Sequence, residues 1–413
     1  MAEITKLKAG RANFRLVGKA VINDKSLQEA KLNDKGTWLG VRETFGVETS
    51  DGNKIWPGIR GGRSLKNGVL YKFGKERDDK GKSEMLQIPI ADRHNPEIIA
   101  KVDEMSGFRR ATIEIGEDGK AIQKRFLDDI DYVDHLREHL HNGDEIVVTG
   151  SVEYALAKDG ERVFRNYEVQ NVYLNPLEKD KETGEESLKY EYGATITQTY
   201  LIDEFSLSEE FKKEIKETGK TAVSVKVPVY LNQVQTPQGD YVDFKEVASL
   251  PQVIFVKAAD DSKEEIEFAI KKAEFFFKGP KGDKVYTMNV IVNIFEGYEK
   301  VEGGEIELSK ETKRMIEFGF MKEEDVRAQQ VVSRGTAVSE LVFANVHASL
   351  SNEDGEKTFV LKDQYTTASY NIPHFDNDDE DEAPFMSDVT SSDSDVEDDD
   401  DSVGALDLGS LFN

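Results

Sequence analysis

The chain contains no cysteine, which excludes a disulfide framework, a thiolate metal site and a cysteine nucleophile. No run approaches the roughly 18 consecutive apolar residues that a bilayer-spanning helix requires. The opening MAEITKLKAG lacks the apolar core of a secretion signal. These absences set the expectation of a cytoplasmic protein with no membrane partner. Positive charge is also in short supply, with 54 Lys and Arg against 81 Asp and Glu and a formal charge of −27. A field of that sign argues against a polyanionic partner. Its distribution changes the argument: residues 376–413 hold fifteen of the acids and none of the bases, so the rest of the chain has 66 against 54, a net of −12. Affinity for nucleic acid therefore has to come from a local groove.

Catalytic motifs are equally sparse. Gly219-Lys220-Thr221 fails as a phosphate loop because Glu214 stands where the first glycine belongs. No calcium loop with its central glycine occurs. His135-Leu136-Arg137-Glu138-His139 fits the inverted zincin pattern, which needs a third ligand and an open cleft. Both histidines fall off the apolar face set by Val133, Leu136 and Leu140, and no downstream helix offers a third carboxylate. The expectation is a protein without catalytic residues, metal or cofactor, the rival being a zinc hydrolase built on this pair.

What the chain does have is strand pattern, most clearly over residues 143–174. Ile146, Val148 and Val152 alternate with Glu145, Thr149 and Ser151, the period of a half-buried strand. Lys158-Asp159-Gly160 supplies a hairpin turn. On the return, Tyr167 and Val169 hold one parity and Val172 and Leu174 the other, which predicts a bulge near Gln170-Asn171. Gly150 inside the first strand predicts a close backbone crossing or a barrel corner. Long, bent strands after a helix indicate a small barrel of the OB type. This pattern resembles the last third of bacterial and bacteriophage single-stranded-DNA-binding proteins.

Upstream, strand candidates cover residues 12–22, with Phe14, Leu16 and Ala20 alternating around Gly18, then 37–47 and 54–59 about a Thr49-Ser50-Asp51-Gly52-Asn53 turn. Residues 86–91 and 108–115 are further strands. The segment 54–75 holds six Lys or Arg and no acid, and Trp56, Tyr71 and Phe73 are interleaved with Lys54, Arg60, Arg63, Lys66, Lys72 and Lys75. Cations neutralise phosphates while flat rings stack on bases, at roughly 1–3 kcal/mol per base, so the mixture suits single-stranded nucleic acid. Gly61-Gly62 would turn a loop or admit a nucleic-acid backbone. Against this stands the plainer reading of core rings and a solvated basic face. The layout resembles the first OB domain of single-stranded-DNA-binding proteins from phages of Gram-positive hosts. Trp38 and Arg42 on the preceding strand, with Arg162, Phe164 and Arg165 after the Asp-Gly turn, complete the DNA-binding candidates of this first unit.

Residues 175–193 are charged and poor in apolar groups, a linker composition. Beyond them the pattern recurs. Val223, Val225, Val227 and Val229 alternate, a turn follows at 236–240, a helix covers 263–277, and at an offset of 139 Asp283 meets Asp144 and Val285 meets Ile146. Pro228 inside the valine run predicts an edge strand or bulge. Lys226, Tyr230, Tyr241, Phe244 and Lys245 are the DNA-binding candidates of this copy. Residues 305–345 read as two short helices and an apolar strand, similar to a helical pair of the same phage family.

After His374 the composition is acidic and too poor in apolar groups to order itself, apart from a tip of Leu406, Leu408, Leu411 and Phe412. It resembles the tail by which single-stranded-DNA-binding proteins recruit replication and repair enzymes, although it ends Leu-Phe-Asn where the bacterial form ends Pro-Phe. The expected organisation is mainly β: an OB domain at 1–178, a linker at 179–192, a second OB domain at 193–303, an appendix at 304–350 and a region with an acidic tail at 351–413. The expected function is sequence-independent binding of single-stranded DNA in phage replication or recombination, with protein partners at the tail and self-association open. RNA suits an OB groove as well. The rival from another class is an acidic interaction protein or DNA mimic that binds basic partners.

Overall fold

Except that the 54–59 run breaks at Trp56-Pro57 and the 86–91 run ends at Pro89, the period-two runs become strands in a computed structural model of the chain. It describes residues 5–298 and 337–373, apart from residues 51, 80, 105–106, 118, 158–161, 180–183, 237–238 and 353–354. Among these residues the protein is mainly β, and no helix is long and apolar enough to cross a membrane. The expectations for the Asp-Gly turn, the helical pair and the acidic tail lie outside the described residues.

The first half contains β1 (Ala12–Val21), β2 (Trp38–Thr44), β3 (Gly46–Ser50), β4 (Gly58–Ser64), β5 (Val69–Arg77), β6 (Ser83–Pro89), β7 (Arg109–Ile115) and β8 (Ala121–Phe126). Helix α1 (Asp129–His139) then leads to β9 (Glu145–Leu156) and β10 (Val163–Leu174). Asp128 caps α1 by accepting from the Ile130 N–H at 3.0 Å, and Ile130, Tyr132, Val133 and Leu136 seat the helix in the core. β1 pairs antiparallel with β9, which pairs with β10. Along β9 and β10 the register runs Thr149 to Asn171 and then Gly150 to Val169, leaving Gln170 as the extra residue. This is the bulge that the change of parity predicts. Gly150 lies where it bends: a Cβ there would collide with the Glu168 carbonyl oxygen.

The second half contains β11 (Gly193–Ile202), α2 (Phe211–Thr218), β12 (Lys220–Gln235), β13 (Tyr241–Lys257), α3 (Lys263–Phe277), β14 (Lys284–Tyr298), β15 (Ala337–Val346) and β16 (Val360–Thr366). Its order repeats the first. β14 follows α3 and pairs antiparallel with β11, as β9 follows α1 and pairs with β1; β15 pairs with β14 as β10 pairs with β9. Helix α2 has no counterpart in the sequence reading. Its C-cap is Gly219, left-handed at φ 72°, so the glycine of the failed phosphate loop ends a helix. Pro228 sits beyond the single Leu201–Lys226 contact of β11 with β12, buried, with its carbonyl turned away from β13 to accept from the Gly10 N–H at 2.8 Å, so its missing N–H leaves no bond of the β12–β13 ladder unmade.

The halves share a sheet. β11 pairs with β14 along one edge and with β1 along the other, matching Asn13 with Thr197 and Leu16 with Ala194. Side chains reinforce the join. The buried Asn53 donates to the Ile294 carbonyl and accepts from the Glu296 N–H, both at 2.9 Å, while Tyr167 donates to Glu296 at 2.9 Å.

Candidate nucleic-acid interface

β2 and β4 pair antiparallel with Trp38 opposite Ser64, Gly40 opposite Gly62 and Arg42 opposite Arg60. Cross-strand partners share a face. Trp38, Gly40, Arg42 and Thr44 therefore lie with Arg60 and Gly62 on the outer side, while Val41, Glu43 and Ile59 are buried on the inner one. Trp38 is 38% exposed, and its indole rests over the two glycines: a Cβ on Gly40 or on Gly62 would meet Nε1 at 2.8 or 2.9 Å. Gly61-Gly62 is thus strand and turns no loop, one of the two roles the sequence left open to it. Gly61 faces inward, and any side chain there would collide with Asp129.

That inner side explains where two expected DNA contacts go instead. Arg63 points inward and pairs with the fully buried Asp128 carboxylate, with Asp131 at 3.9 Å. Lys72 occupies the inward parity of β5, next to the buried Leu70, and burial pushes its ammonium below the ordinary lysine range against the pull of Asp129. Both cations serve the acidic first turn of α1, where carboxylates also meet the positive end of the helix dipole. Arg109 completes the cluster, donating to Asp129 at 2.5 Å, Glu168 at 2.6 Å and the Arg60 carbonyl at 2.8 Å. Burial alone would lower its pKa; Asp129 and Glu168 outweigh that and hold it above the ordinary value.

The alternation that turns Lys72 in turns its neighbours out. Tyr71 is 52% and Phe73 46% exposed, with Met85, opposite Phe73 on β6, 49% exposed. The backs of β4 and β5 both address α1 through Arg63 and Lys72, so the Arg60–Gly62 front of β4 and the Tyr71–Phe73 front of β5 both face away from that helix. Trp56 is also outside, its ring edge against Gly46, between the short strand Asn53–Ile55 and β4. The remaining candidates of the first half divide. Lys54 pairs with Glu48 at 3.6 Å, and Lys75 with Glu104 at 3.5 Å. Arg162 and Phe164 are exposed, whereas Arg165 donates to Ser339 of β15 at 3.0 Å and helps hold the halves together.

In the second half the candidates do not gather. Lys226 pairs with Asp203 at 2.9 Å and stacks on Tyr370 at 4.3 Å, an internal bond. Tyr230 is exposed, Tyr241 and Phe244 are half-buried, and Lys245 pairs with Asp243 at 2.5 Å. The tail residues Leu406, Leu408, Leu411 and Phe412 are outside the described residues.

Three features escaped the sequence reading. Arg110 and Arg125 face each other across β7 and β8, and with Lys75 they surround Glu104, a net positive patch signalled by basic residues beside Phe108 and Phe126. On α3, Phe268 and Phe275 are exposed beside Lys271 and Lys272 in a groove of about 860 Å³. His135 is buried against Phe126 and His139, where the helical pattern had set it off the core, and burial pushes its imidazole down to about 4. Glu114, on the upstream strand β7, stands beside the histidine pair, so the third carboxylate sought downstream comes from the other direction.

Neither the models of known protein families nor the sequences of curated proteins include one that this chain matches.

Proposed function

We propose that the protein coats single-stranded DNA without sequence preference, through an OB-type unit in each half, and that its acidic C-terminal residues recruit protein partners in replication or recombination. The observation that carries this reading is the outward face of β2 and β4, where Trp38 lies beside Arg42 and Arg60 with the exposed rings of Tyr71 and Phe73 on the next hairpin. Rings that stack on any base, beside cations that meet any phosphate, bind without reading sequence. The half-buried Arg63 and Lys72, turned to α1, support that face from behind and do not touch the DNA.

Trp38→Ala should weaken oligo-dT binding about 5- to 150-fold, the range of one lost stacking contact. The double variant Arg42→Ala/Arg60→Ala should weaken it further and flatten the salt dependence, with an unchanged Tm. A fluorescence titration that leaves all affinities at the parent value rejects this face as the binding surface. The second reading, an acidic protein that engages basic or apolar protein partners, draws on the exposed phenylalanines of α3. Such a protein would show no shift with oligo-dT.

A further inference from the structure

We propose that Glu114, His135 and His139 form a binding site for one divalent transition-metal ion of the zinc class. The proposal is independent of the nucleic-acid reading. The two histidines are one turn apart on α1, with ring centroids 4.4 Å from each other. β7 brings Glu114 to them, and one ligand atom from each of the three side chains lies within 4.8 Å of the other two. His139 Nε2 is 3.7 Å from the Glu114 carboxylate. Ligands at about 2.0–2.1 Å from a tetrahedral zinc stand roughly 3.4 Å apart, so small side-chain rotations would close the set.

A separate observation points to a ligand. His135 is 7% exposed, and its Nε2 has no hydrogen-bond partner. A buried polar atom left unpaired costs roughly 1–3 kcal/mol, which coordination would relieve. Two imidazoles and one carboxylate suit zinc; magnesium and calcium prefer all-oxygen sets. The fourth position falls to Glu138, whose carboxylate is 3.7 Å from the same His139 nitrogen, or to water. Lys124 pairs with Glu114 and is the competing cation. Its side chain is 40% exposed on a flexible stem, so it can swing into solvent when a metal enters. The ion would fasten β7 to α1 at the end of the helix away from the Arg109 cluster.

The test uses the full-length chain, stripped with chelator and titrated with zinc chloride by calorimetry and with cobalt chloride by visible absorption. The expected result is a single equivalent of zinc per chain, tetrahedral cobalt bands and a higher Tm with zinc. Glu114→Gln and His139→Asn should each weaken binding by more than about tenfold, the loss that even an outer-shell partner costs, with far-ultraviolet circular dichroism unchanged. Absence of stoichiometric uptake overturns the proposal. So does uptake that both variants leave intact, as metal held by the C-terminal acids would be.

Discussion

Arg63 lies in the most basic stretch of the chain, yet its guanidinium is bound to a carboxylate with no solvent exposure. Burial pushes Asp128 above the usual carboxylate range, while the Ile130 N–H and Arg63 pull it back. Arg63→Ala removes the hydrogen-bonded partner and leaves the buried carboxylate with only Arg93 at 4.0 Å, a loss of up to about 3–5 kcal/mol. The sign of its pH dependence follows. With the folded pKa raised further above the unfolded one, the folded variant binds more protons between the two, so its stability falls as pH rises through that window. Denaturant unfolding should therefore show a large deficit at pH 7 that shrinks on acidification towards the unfolded pKa; an equal deficit at both ends contradicts the buried pairing. Composition alone could not separate Arg63 from Arg60, since Asp128 is 65 residues away. Parity could have separated Lys72 from Tyr71 and Phe73, because Leu70, Lys72 and Gly74 share one side of an alternating strand.

At the scale of the element, β9 and β10 were the most legible part of the chain. The shift of apolar parity in one strand and the isolated glycine in its partner mark the same bend, and the bulge at Gln170 lies beside Gly150. Gly150→Ala places a methyl group against the Glu168 carbonyl and beside the Phe14 ring. It should lower stability by about 1–3 kcal/mol, as overpacking in a closed core does. An unchanged melting temperature would show that the bend does not need the glycine. Helix α1 was equally readable from its apolar spacing, but its buried width was not, because His135 is covered by Phe126 from another strand. Helix α2 gave little signal: it is 8 residues long and buries only Phe211 and Ile215. The Gly61-Gly62 pair reads locally as a loop or an opening for a nucleic-acid backbone, and only the β2 register and the neighbouring Asp129 and Trp38 side chains make it a strand.

For the whole molecule, the repeat at an offset of 139 corresponds to two runs of helix, strand and strand, with β9 beginning at Glu145 and β14 at Lys284. The join between them was not legible. It depends on Asn53, Arg165 and Tyr167 meeting β14 and β15, residues more than a hundred positions away. Charge also acts at this scale. The C-terminal acids are tethered to the chain that carries the proposed binding face, so under that proposal they should compete with DNA at high effective concentration. Deleting residues 376–413 should tighten oligo-dT binding at low salt, with the gain fading as salt screens the interaction. Equal affinities for the two forms would refute that competition.

The central claim is that cations and rings on one outer face overcome a net negative charge and hold unpaired bases. A salt-dependent titration of the intact protein against oligo-dT and a duplex of equal length tests it most directly. The account predicts binding to oligo-dT well above that to duplex, weakening with salt at a log–log slope of about −0.7 per phosphate neutralised. No binding to oligo-dT at low salt, or an affinity that the duplex matches, would contradict it.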